Sequence, residues 1–320
     1  MAADSADAKA ERRAVVSSPL DLSAFHPVPS APVIDVAALS IGGTLQDENT
    51  DHYLAIRLGR LQETLTTSLS EGDLPPRFEE YAYAMLVADG LGAHGTGVRA
   101  SRLALSTLAH LAIRYGRWNV RGGVDQAAEI TEQGMFFYRQ VNDAMMNAAR
   151  ANVRLVEMAT SLTAVYIAGA DLFFAHLGHS RAFLYRNGVL IQLTMEHTLE
   201  QLISVSAALR RARLEARRPR IHGAETGAAR DAAAKQADTS DVAIEHVQLW
   251  SGDRVLMCTD GLTSVAPEDR IADVLSSQRS PSEDCRRLLD LAAASGATDS
   301  VTVLIADYRA GRPPAPAPVF

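Results

Sequence analysis

Apolar and polar positions along the chain divide it into short strands and two long amphipathic helices. Val33 to Leu39 and His52 to Leu58 read as short strands flanking a polar turn. Tyr83-Ala-Met-Leu-Val-Ala88 is continuously apolar, the pattern of a buried strand, and runs straight into Asp89-Gly90. From Val98 to Ile113, the residues Leu103, Thr107, Leu108 and Leu111 fall on one helical face, and Ala127 to Ala151 reads as a second long helix. Leu162 to Ala168 and Leu172 to Leu177 form a hairpin about Gly169-Ala-Asp171. This is the most apolar part of the chain, yet it is too short and too interrupted for a membrane span. Ala182 to Tyr185 and Val189 to Leu193 form a second hairpin at Asn187-Gly188, because both central positions of a type I′ turn need positive φ. Arg254 to Cys258 and Val301 to Ala306 are the last strands. Hairpins grouped between long helices predict an α+β sandwich rather than a doubly wound parallel sheet.

Residues 1–32 are rich in Ala, Ser, Asp and Pro and read as a disordered tail; residues 309–320 form a Pro/Ala-rich one. An excursion at about 205–240 is rich in Ala and Arg. With 320 residues, 47% of them hydrophobic, the remainder can bury a sizeable core. The 31 basic and 38 acidic residues leave a net charge of −7, which gives no whole-protein attraction to nucleic acid or anionic membrane. Two cysteines, Cys258 and Cys285, exclude a disulfide scaffold and a Cys-based zinc finger. The polar N-terminus lacks the apolar core of a signal peptide, so a cytoplasmic monomer is expected, with no membrane insertion.

Three aspartates stand at the ends or starts of apolar strands. Asp89 follows Met85-Leu-Val-Ala, Asp260 follows Val255-Leu-Met-Cys-Thr, and Asp299 precedes Ser-Val-Thr-Val. A carboxylate there lies at the rim of the core, rigidly held yet reachable by solvent. Converging carboxylates repel unless they are protonated or neutralised by a cation, and hard oxygen donors suit Mg²⁺ or Mn²⁺. Each Asp-Gly pair taken alone also fits ordinary turn chemistry.

Taken together and in order, these segments resemble the PPM-type (type 2C) metal-dependent Ser/Thr protein phosphatases of bacterial style. Val87-Ala-Asp-Gly-Leu-Gly-Ala-His-Gly-Thr-Gly97 is similar to their Asp-Gly-Met-Gly-Gly-His-x-x-Gly element, and Thr160-Ser-Leu-Thr-Ala164 to Gly-Thr-Thr-Leu-Thr-Ala. Ala175-His-Leu-Gly-His-Ser-Arg-Ala-Phe-Leu-Tyr185 resembles Ala-x-x-Gly-Asp-Ser-Arg-Ala-Tyr-Leu, and Leu190 to Thr198 resembles Leu-x-Gln-Leu-Thr-x-Asp-His-Thr. Gly252 to Thr263 and Thr298 to Val303 match the two closing Asp-containing elements. The resemblance covers residues 33–308, with 205–240 as the variable flap. It implies a four-layer α-β-β-α sandwich with two central antiparallel sheets and two Mn²⁺ or Mg²⁺ ions at one end. The implied reaction is hydrolysis of phosphoserine or phosphothreonine, the product of a Ser/Thr kinase, by a metal-activated water without a covalent phosphoenzyme. Asp89 would bridge both ions and Gly90 would offer its carbonyl to the second. Asp260 and Asp299 would complete the first ion's ligands, with Asp51 contributing through a water.

The chain departs from the pattern in places. In Gly43-Thr-Leu-Gln-Asp-Glu-Asn-Thr-Asp51, Gln46 stands where the phosphate-gripping Arg is expected and Thr50 where the second-metal Glu is expected. The first change removes a bidentate phosphate partner, the second a negative charge. Glu48, if this stretch is a strand, would have to reach roughly 6–7 Å further to compensate. His179 replaces the Asp of Gly-Asp-Ser-Arg, either holding a third metal or capping a turn; Arg181 is retained as a substrate contact. His94 is a loop-organising hydrogen-bond donor or an acid catalyst. The arginine run from Arg210 to Arg220 is a phosphate grip or a solvated helix face. The leading expectation is an active phosphatase with a weakened second metal site. The alternatives are a phosphatase-like module that binds a phosphoprotein without efficient turnover, and a hydrolase of small phosphoesters.

Overall fold

The computed structural model describes residues 32–44, 48–69, 78–92, 94–115, 124–195, 203–204 and 244–311. Gln46, the flap at 205–240 with its arginine run, and the tails up to Ala31 and from Arg312 lie outside the described residues. The strands are β1 (Val33–Ile41), β2 (Asp51–Gln62), β3 (Phe78–Leu91), β4 (Ala159–Thr160), β5 (Leu162–Ala168) and β6 (Asp171–Leu177). They continue with β7 (Arg181–Arg186), β8 (Val189–Gln192), β9 (Ile203–Ser204), β10 (Ile244–Gln248), β11 (Arg254–Cys258) and β12 (Val301–Arg309). The helices are α1 (Thr96–Tyr115), α2 (Val124–Ala151), the single turn α3 (Asp260–Thr263), α4 (Glu268–Ser276) and α5 (Pro281–Ala294).

One sheet runs β1-β12-β11-β7-β8; the other runs β10-β6-β5-β3, with β2 paired to β3 and the short β4 and β9 extending it. All pairings are antiparallel. Three apolar layers separate four structural ones. Met85, Val87, Val165 and Phe174 meet Leu184, Val255, Met257 and Leu304 between the sheets. Leu86, Leu162 and Leu177 pack against Leu105, Leu108, Val141 and Met145 of α1 and α2. Phe183, Leu256 and Val303 pack against Leu262, Ile271 and Leu288 of α3 to α5. The expected α-β-β-α sandwich is therefore the observed fold. Covered on both faces, β11 is buried at every position and reads as an unbroken apolar run rather than an alternation.

The type I′ turn is as expected: Asn187 and Gly188 have φ of 50° and 83°. Several elements are longer than their apolar signal. β2 continues to Gln62, and β3 does not stop at Ala88 but runs through Asp89 and Gly90 to Leu91. The ladder explains this: Gly90 and Leu91 pair with β4 on one side, while Gly90 N–H donates to Thr50 C=O on the other. In this antiparallel arrangement β2 and β12 begin, and β3 and β11 end, at the same end of the sandwich.

Candidate active site

That end collects four aspartates. Asp51 opens β2 and lies directly opposite Asp89 of β3. Because Thr50–Gly90 is a hydrogen-bonded pair, Asp51–Asp89 is the closer, non-bonded type, and the two carboxyls hydrogen-bond to each other. Asp260 begins α3 immediately after β11, and Asp299 leads into β12 with its Oδ1 accepting from Ser300 N–H at 2.7 Å. Two glycines let the backbones close up around this cluster. A Cβ at Gly90 would sit 2.0 Å from Gly97 O, and one at Gly261 would sit 2.0 Å from Ser300 O. No other residue type fits either position without displacing the main chain.

Hydroxyls hold the Asp51 carboxylate and the Asp89 main chain from behind. Thr259 Oγ1 donates to Asp51 Oδ2 at 2.8 Å and accepts from Thr302 N–H at 2.9 Å. Thr302 Oγ1 meets Ser40 Oγ at 2.6 Å, Asn49 Nδ2 donates to Ser40 Oγ at 2.7 Å, and Asn49 Oδ1 accepts from Asp51 N–H at 3.0 Å. The circuit closes on Asp51 and joins β1, β2, β12 and the β11–α3 junction. Behind Asp89, Thr160 Oγ1 donates to its carbonyl at 2.8 Å and Ser161 Oγ accepts from its N–H at 3.3 Å. Ser161 in turn shares a 2.6 Å hydrogen bond with Ser180. These positioning groups were missed in the sequence, where only the Ser or Thr flanking Asp51, Asp260 and Asp299 hints at them.

The electrostatics are unfavourable as they stand. Burial, and then the charges of Asp51, Asp260 and Asp299, push the Asp89 carboxyl well above the carboxylate range. Burial also raises Asp51, and Asp260 is raised by burial and then by Asp299. Asp51 Oδ1 is buried with no hydrogen-bond partner. Among the described residues no three His, Cys, Asp or Glu side chains already stand as a closed ligand shell; Asp51 and Asp89 are instead bonded to each other. An all-oxygen donor set, a mutual repulsion that only protons or cations relieve, and an orphaned carboxylate oxygen together fit Mg²⁺ or Mn²⁺.

The other expected residues distribute unevenly. Thr50 is buried, with its hydroxyl 3.5 Å from Ser300 Oγ. Glu48 is exposed and precedes β2, so the expectation that it shares a strand face with Thr50 does not hold. Arg181 lies where its positive charge favours ionised Asp260, and His179 Nε2 is buried without a partner. His94 is exposed, at a φ of 55°, in the turn before α1. No described helix is long and apolar enough to cross a membrane.

Comparison with known proteins adds a family. The model described as Protein phosphatase 2C matches residues 77–294. The serine/threonine protein phosphatase PstP of Mycobacterium tuberculosis is 31% identical over 231 residues, which cover 71% of this chain and 41% of that protein. The chain thus spans well under half of that relative's length. The serine/threonine phosphatase stp of Listeria welshimeri is 29% identical over 223 residues, 70% of this chain and 83% of its own. The crystal structure of the PstP catalytic domain in complex with two manganese ions superposes with a TM-score of 0.57 at 25% identity, covering 87% of this chain and 99% of that one.

Proposed function

The chain belongs to the protein phosphatase 2C family, and from that premise we propose that it hydrolyses phosphoserine and phosphothreonine esters of proteins at a Mn²⁺ or Mg²⁺ site. The observation that carries this reading is the cluster of buried Asp51 and Asp89 with half-buried Asp260 and Asp299, in which burial and neighbouring acids raise Asp89, Asp51 and Asp260 together. Asp89, Asp260 and Asp299 would hold the cation, with Asp51 beside them. The mycobacterial relative's catalytic domain is in complex with two manganese ions; here a second cation beside Asp89 and the Gly90 carbonyl would meet neutral Thr50 rather than a carboxylate and bind more weakly. Bound there, such ions supply Lewis acidity toward water and toward the phosphoryl oxygens.

The chain's own residues fix where that chemistry happens. The Thr259–Thr302–Ser40–Asn49 circuit occupies Asp51 Oδ2 and leaves Oδ1 as the available acceptor. Thr160 and Ser161 lock the main chain of Asp89, so its carboxyl is not free to swing away. Arg181 puts positive charge beside Asp260, where it attracts an anionic ester. The substrate is the phosphoprotein product of a Ser/Thr kinase. Hydrolysis of a phosphothreonine peptide with Mn²⁺ by the wild type and by Asp260→Asn tests the reading. The variant loses about 10³-fold in turnover. A wild type that binds Mn²⁺ and turns over nothing, or equal residual rates in both proteins, overturns it.

A further inference from the structure

Two long strands at the candidate site leave an edge unused among the described residues: β1, which ends there at Ile41, and β2, which begins there at Asp51. Twelve residues long, β2 pairs with β3 and with no other strand among the described residues. The register assigns its backbone groups. Thr50–Gly90 is a hydrogen-bonded pair, and bonded and non-bonded pairs alternate along an antiparallel ladder. The even positions His52, Leu54 and Ile56 therefore bond to β3, while Asp51, Tyr53, Ala55 and Arg57 turn N–H and C=O outward. Asp51 bears this out, since its N–H is taken by the Asn49 side chain rather than by β3. Side chains agree: Leu54 packs toward the α1–α2 layer, whereas Tyr53, Ala55 and Arg57 are exposed.

Folded proteins blunt long edges with charge, glycine or brevity, because an open edge recruits another strand. The far half of β2 is blunted in this way by Arg57, Gly59 and Arg60. The half next to the aspartates, Tyr53-Leu-Ala-Ile56, carries no such device. An edge left open only where it enters the carboxylate cluster has a direction as well as a surface.

We propose that the outer edge of β2 from Tyr53 to Ile56 is the docking strand for the substrate: an extended segment of the phosphorylated protein adds to it as a further strand and is led toward Asp51 and Asp89. The proposal rests on the phosphatase reading above. Main-chain pairing supplies affinity with little demand on sequence, and contacts with Tyr53 supply what selectivity there is. Ala55 lies about 13 Å along the strand from Asp51, so the segment must extend roughly four residues to one side of the phosphoresidue.

Ala55→Pro removes one outward N–H without touching the β2–β3 ladder, and Ala55→Glu blunts the edge with a charge at an exposed position. The full chain and both variants are assayed on a long phosphothreonine peptide and on p-nitrophenyl phosphate. Binding of the peptide's non-hydrolysable phosphonate analogue is followed by fluorescence anisotropy. Each variant should raise KM for the peptide and weaken analogue binding about tenfold, with p-nitrophenyl phosphate kinetics within about twofold of wild type. If Ala55→Pro misfolds, the same split in Ala55→Glu decides. Unchanged peptide KM and analogue binding, or equal loss on both substrates, overturns the docking strand. A wild type that turns over neither substrate overturns the phosphatase reading; edge-dependent analogue binding in that protein would still support the docking strand, and edge-independent binding would overturn it.

Discussion

The β11–β12 ladder buries aspartates at both of its ends and treats them in opposite ways. At the end where β11 starts, Arg254 bonds Asp307 and Asp284, each at 2.7 Å, and Arg186 grips Asp253 through two nitrogens. At the end where β11 stops, Asp51, Asp89, Asp260 and Asp299 form no salt bridge with any described residue. The depth of burial is similar: Asp284 is 0% exposed, Asp253 2%, Asp51 4% and Asp89 6%. Burial alone therefore does not tell a structural acid from a functional one. The difference lies in who supplies the positive charge, the chain itself or something that arrives later.

Three measurements would break or sharpen that contrast. The largest effect belongs to Asp284→Ala, which strips one carboxylate from buried Arg254. It should cost about 3 kcal/mol or more in urea unfolding while leaving turnover per folded molecule within about twofold. A loss of turnover without a loss of stability would mean that the two ends are not separable.

Next comes Asp89→Asn, which should move stability in the opposite direction. The folded protein raises the Asp89 pKa above its unfolded value. The stability contributed by its proton is fully present below the unfolded carboxylate pKa and is lost as pH rises through the folded one. In chelator at pH 8 the variant should therefore be more stable than wild type by ~1–2 kcal/mol. The gap should close as pH falls toward 4, and Mn²⁺ should raise the melting temperature of the wild type only. A variant less stable than wild type at pH 8 would contradict the repulsion.

The smallest effect concerns the hydroxyl circuit. Thr259→Val removes the donor to Asp51 and should weaken Mn²⁺ binding by about fivefold in calorimetry. Thr259→Ser, which keeps the hydroxyl, should restore it. Equal affinities in both variants would reduce the circuit to a packing feature.

How far these two ends were legible in the sequence follows from the range of the forces involved. Asn187-Gly188 announces its turn because the requirement for positive φ is local. Asp89, Asp260 and Asp299 stand out because each interrupts an apolar run. Asp89-Gly90 also misleads: the pair reads as a turn, yet partners on both sides, Thr50 and β4, keep it in strand β3. The helix α5 was overlooked although Ser280-Pro-Ser-Glu283 forms a capping box at its start. The hydroxyl circuit could not be read at all, since Ser40 and Thr302 meet across 262 positions. The Arg254 network is equally non-local, drawing on α5 and on the far end of β12.

The placement of β12 has a consequence for synthesis. The last described strand lies between the first described one, β1, and β11, so the five-stranded sheet cannot close until the chain has been made past Arg309. While translation proceeds, β1 waits without its partner, and Asp51 waits without Thr302, Asp299 and the rest of its surroundings. Loops of this span close slowly and leave intermediates with open edges. A chain cut short anywhere before Asp299 would lack that aspartate and Thr302, so a half-made copy released from a stalled ribosome would carry an incomplete carboxylate cluster.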